Sequence, residues 1–128
     1  MVRSFLKKTC VTLLSATILM SSFGAKAYAA TYVSGSAGGV STYGSLSMGS
    51  TSASATTGSS GVAANYVSVT YVYGFGTHQY SVSSSSSNNT TVTATAVANH
   101  YGCVSISASG YHSVSTGSGG SWTDRTSI

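Results

Sequence analysis

From Tyr66 to Tyr73 the chain alternates without a break: Val67, Val69, Tyr71 and Tyr73 share one parity, and Tyr66, Ser68, Thr70 and Val72 the other. A period of two, carried by β-branched and aromatic residues, is the pattern of a half-buried strand and fits no helix. Gly74-Phe75-Gly76 follows, and then a second β-prone run, His78-Gln79-Tyr80-Ser81-Val82. The two runs are close enough to pair as a hairpin. An isolated hairpin is marginal in water, so the remaining segments are expected to add strands to it.

They carry the signals for doing so. A short strand is expected from Tyr32 and Val33 to Ala37, and Gly38-Gly39 is a two-residue turn whose glycines tolerate positive φ at both central positions. The returning strand alternates Val40, Thr42, Gly44, Leu46 and Met48 against Ser41, Tyr43, Ser45 and Ser47. Ala53 and Ala55 then take the inward parity, which calls for a turn or bulge at Gly49. Gly58 to Gly61 reads as a loop, and Ser83 to Asn89 as a fraying strand end and turn. From Thr90 to Ala98, Val92, Ala94, Ala96 and Ala98 face away from Thr91, Thr93 and Thr95. A last long strand runs from Val104 to Ser115, with a bend expected at Gly110. Six or seven strands at hairpin spacing predict an all-β fold, a single small antiparallel β-sandwich.

The chain begins with Arg3, Lys7 and Lys8, an apolar run from Val11 to Met20, and small residues ending in Ala27-Tyr28-Ala29. That order reads as a secretory signal peptide over residues 1–29, and the apolar run is short for a spanning helix. A secreted, extracellular product is therefore expected, with the Ser/Gly/Thr-rich domain occupying residues 30–128. The charge of the whole chain, +4, resides in the leader, because Arg125 and Asp124 are the only Lys, Arg, Asp or Glu beyond it. Nucleic acid is thereby disfavoured as a partner, since phosphate binding draws on several cations, and a polybasic membrane contact is disfavoured for the same reason.

Beyond the leader, 25 serines, 14 glycines and 14 threonines leave few large apolar residues for a core. Such a composition leans towards disorder. Eight tyrosines, eleven valines and near-zero charge over the same stretch point the other way, towards a fold with a thin core.

Few reaction chemistries fit. Asp124 is the only carboxylic side chain, which excludes paired-carboxylate catalysis and disfavours calcium or magnesium sites. Serines and the histidines His78, His100 and His112 are present, yet the chain lacks a Gly-x-Ser-x-Gly elbow. His100-Tyr101-Gly102-Cys103 has a spacing that zinc or copper tolerates, with His112 or His78 to complete it, but no second short-spaced pair accompanies it. The reading is of a protein that is not an enzyme, with no metal and no cofactor. Cys103 is the single cysteine after the leader; it is expected in the core, or else available for an intermolecular disulfide.

Tyrosine among serine and glycine is the chemistry of adaptable recognition surfaces. Exposure parity nominates Tyr43, Tyr101 and Tyr111 as binding residues, with Trp122 at the end of the sandwich or on its surface. The partner class expected is a glycan, a cell surface or another protein. Two alternatives stand beside it. One is a bacteriocin-like or pore-forming protein, in which several chains close a barrel in a membrane. The other is a homo-oligomeric fibre or coat assembled through runs such as Val67 to Tyr73.

Overall fold

A computed structural model describes residues 31–117 and 119–128. The expected signal peptide lies outside them. Among the described residues eight strands follow one another: β1 (Tyr32–Ala37), β2 (Val40–Met48), β3 (Ser52–Ser59), β4 (Ala64–Phe75), β5 (His78–Asn88), β6 (Val92–Val97), β7 (Val104–Ser115) and β8 (Ser121–Ser127). They form two four-stranded sheets, ordered β1-β2-β3-β6 and β5-β4-β7-β8, with every pairing antiparallel. The expected β-sandwich is the fold.

It has one strand more than the pattern implied. Ser121–Ser127 shows no apolar alternation, but its backbone pairs with β7 from Ser115↔Ser121 to Ser109↔Ser127. The serine run read as a fraying end is also strand, because β5 stays in register with β4 from Phe75↔His78 to Asn65↔Asn88. In both cases a well-formed neighbour supplies the ladder that local propensity does not demand.

The turn chemistry follows from the residues. Gly38 and Gly39 have φ of 54° and 83°, which closes the β1–β2 hairpin as a pair of left-handed residues. The parity change near Gly49 is the β2–β3 turn. The bend expected at Gly110 is absent: Val69↔Gly110 sits in unbroken register, and the irregularity falls between Val72 and Tyr73, opposite β7. Gly110 serves space instead, since a Cβ there would press on Thr126 and the ring of His112.

Between the sheets, large residues meet small ones. Val67, Val69, Tyr71 and Tyr73 of β4 are buried, facing Leu46, Ala53, Ala55, Ala94 and Ala96 of the opposite sheet. Alanine there leaves room for tyrosine across a sheet spacing of about 10 Å. A second, smaller apolar cluster, Ala37, Ala63 and Val114 with Trp122 against it, lies towards the other end. The indole rests on Gly35, where any Cβ would collide with it.

Polar residues separate the two clusters. Thr42, Thr57, Asn65, His112 and Thr126 are all buried. His112 lies at the centre of this layer, bonded through Nδ1 to Thr57 Oγ1 at 2.9 Å and through Nε2 to Thr126 Oγ1 at 2.9 Å. The imidazole also occupies the space above Gly44, which a Cβ would fill. Outside, hydroxyl pairs tie β3 to β6, Ser54 to Thr95 at 2.8 Å and Thr56 to Thr93 at 2.7 Å.

Candidate functional site

The hairpin register determines which aromatic side chains meet. Phe75↔His78 closes β4 and β5, so Tyr73 and Tyr80 fall directly opposite each other on the inner parity. Their rings stack at 5.5 Å, and Tyr73 stacks on Tyr71 at the same distance. The loop between β6 and β7 then brings His100 over the group. Its ring centroid lies 4.2 Å from that of Tyr80, 4.7 Å from Phe75 and 5.8 Å from Tyr73. His78 adds a ring 6.3 Å from Tyr80.

This run leads from the core to the surface. Tyr71 and Tyr73 are buried, Tyr80 and His100 are half-buried, and Phe75 is 40% exposed. Tyr101, the next residue in the loop, is 100% exposed. One end of the sandwich thus carries a run of stacked rings that is anchored in the interior and reaches solvent at Phe75.

Hydrogen bonds fix the anchor. The Tyr73 hydroxyl accepts from the Asn99 N–H at 3.1 Å and pairs with His100 Nδ1 at 3.0 Å. A hydroxyl that already accepts from a backbone amide has its own proton to give, so Nδ1 is the natural acceptor and Nε2 the protonated nitrogen. The Tyr71 hydroxyl bonds Ser105 Oγ at 2.7 Å and donates to the Ser50 carbonyl at 3.4 Å. The three loops at this end, 49–51, 76–77 and 98–103, are thereby tied to the two core tyrosines or to the hairpin that carries them.

Cys103 sits in the same region, half-buried and packed against the edge of the larger core cluster, with its thiol 3.8 Å from the Ser50 carbonyl. The β7 strand begins at the next residue, Val104. His112, which the sequence offered to complete a metal set with His100 and Cys103, has both ring nitrogens engaged by threonines in the middle of the sandwich. Among the described residues no three of His, Cys, Asp and Glu come together as a metal-holding group.

The residues nominated by exposure parity are dispersed. Tyr43 lies on the outer face of the first sheet, stacked on Tyr32 at 6.1 Å and 13°. Tyr111 lies on the outer face of the second, edge-on to Tyr66 at 6.2 Å, with the Arg125 guanidinium 4.9 Å from its ring centre. Trp122 packs inward beside Ala37, Ala63 and Val114. Of the four, Tyr101 alone belongs to the aromatic end. Tyr80 was findable from hairpin arithmetic, because a turn at Gly76-Thr77 places it opposite Tyr73. His100 had no local signal; only the fold brings its loop to the hairpin.

The residues that build this end include no Lys, Arg, Asp or Glu. In the polar layer behind it, burial holds His112 below its ordinary value of 6.5, with the cross-strand Asp124 pulling the other way. What the fold and site define is an antiparallel two-sheet β-sandwich with an aromatic, histidine-bearing end. No protein-family model matches the chain, and neither a curated protein nor a solved structure is significantly similar to it.

Proposed function

We propose that this chain is an exported, non-enzymatic binding protein that uses the aromatic end, and not its tyrosine-bearing outer faces, to contact a surface glycan. The observation that carries the reading is the graded stack Tyr71–Tyr73–Tyr80–His100–Phe75, which starts in the core and finishes at solvent, with the fully exposed Tyr101 following His100 in the chain. Rings held in place by packing lose little freedom on binding, and that preorganisation is what a weakly polar ligand such as a sugar face needs. His100 and the nearby His78 and Gln79 supply polar groups at the rim for hydroxyls. The leader-like residues 1–29 support export, and the single carboxylate after them supports a role without acid–base chemistry.

The test is sedimentation of the purified protein with insoluble polysaccharides and with whole cells. Binding that falls at least about tenfold in Phe75→Ala/Tyr101→Ala, while Tyr43→Ala and Tyr111→Ala bind as wild type, is the expected outcome. Binding lost with Tyr43→Ala or Tyr111→Ala and kept in the double variant moves the site to an outer face and overturns this one.

A further inference from the structure

We infer that the outer edge of β5 is a self-association surface, on which a second copy of this chain pairs its own β5 antiparallel about Ser83. The four edge strands are not alike. β1 and β6 have 6 residues each, and β8 has 7 with Asp124 and Arg125 among them. Short and charged edges resist strand addition. β5 has 11 residues, no Lys, Arg, Asp or Glu, and an unbroken register against β4. The chain contains no proline to interrupt it. Among the described residues, no strand pairs with the other side of β5. A ladder roughly 35 Å long is left for a partner strand.

The side chains say which partner fits. β5 is bulky in its first half, His78-Gln79-Tyr80-Ser81-Val82, and small in its second, Ser84-Ser85-Ser86-Ser87-Asn88. When two copies run antiparallel with Ser83 opposite Ser83, all eleven residues are used. Tyr80 then faces Ser86, Val82 faces Ser84, Gln79 faces Ser87 and His78 faces Asn88. Each large side chain meets a small one, and parity is conserved, so inner faces stay inner. The strand is thus complementary to itself in one register, the condition for an isologous two-fold interface. It offers no charge for a charged partner to answer. The result is a continuous eight-stranded sheet, with the two aromatic ends at opposite extremes of the pair.

Ser83 makes the test specific to the register. It is exposed on the outer face, and its hydroxyl bonds the neighbouring Thr70 at 3.0 Å. Sedimentation velocity of the purified protein at high micromolar concentration should show a dimer that reductant leaves intact. Ser83→Lys and Ser83→Asp each place like charges face to face and should weaken the dimer at least about tenfold, with the β-type circular dichroism unchanged. Mixing the two variants should restore a dimer, because Lys then faces Asp. A wild-type monomer throughout the concentration range overturns the inference. A dimer that reductant dissolves assigns the contact to Cys103 instead, and a dimer that survives in both single variants places it on another surface.

Discussion

The two apolar clusters on either side of the His112 layer solve the same problem with different means. Towards the loops 49–51, 76–77 and 98–103, burial is concentrated in Tyr71 and Tyr73, set against a floor of alanines, and the stack continues outward through Tyr80 and His100. Towards the other end, Ala37, Ala63 and Val114 bury little, and one half-exposed indole on Gly35 covers them. A chain poor in leucine and isoleucine can close a sandwich by spending a few aromatic residues at its ends. The end where the aromatics keep going past the core is the one left with chemistry to offer.

Substitutions at the two ends should therefore differ in size. Removing the anchor with Tyr73→Ala takes a buried ring out of the larger cluster and leaves Asn99 and His100 without their partner; a loss of about 4 kcal/mol in urea unfolding is expected. Tyr73→Phe, which keeps the ring, should lose about 1–2 kcal/mol. Trp122→Ala at the opposite end should cost about 2 kcal/mol, since the indole is only half-buried. Equal losses at the two ends would erase the distinction.

The layer between them should respond to pH. Burial lowers the folded-state pKa of His112 below 6.5, so the unfolded chain binds the proton more readily. The stabilisation from a neutral His112 is complete above about pH 6.5 and is lost as the pH falls from there towards the depressed folded value. The melting temperature should drop between pH 7.5 and 5, and the drop should shrink in His112→Gln. A melting temperature that stays flat over that interval would remove His112 from the account.

Much of the interior was legible because period two reports burial directly. Val67, Val69, Tyr71 and Tyr73, and the alanines of β3 and β6, sit where their parity puts them. Parity fails where the backbone does the holding. β8 and the serine half of β5 are strands because β7 and β4 offer them ladders, not because their side chains ask for burial. Val67 to Tyr73 lies in a central strand of the second sheet, paired on both sides. The exposed tyrosines were recognisable one at a time. Their grouping was not, since Phe75 and His100 meet only after β6 and β7 have crossed between the sheets.

The aromatic stack also has an optical consequence. Tyr71, Tyr73 and Tyr80 hold their rings parallel to within 28° at 5.5 Å spacing inside a chiral scaffold, close enough for their electronic transitions to mix. Their near-ultraviolet circular dichroism should carry a coupled signature that any loosening of that end diminishes. Trp122, the only tryptophan in the chain, fluoresces from the other side of the polar layer. The molecule therefore contains two intrinsic chromophores that report separately on its two ends, and it needs no label to reveal which end yields first.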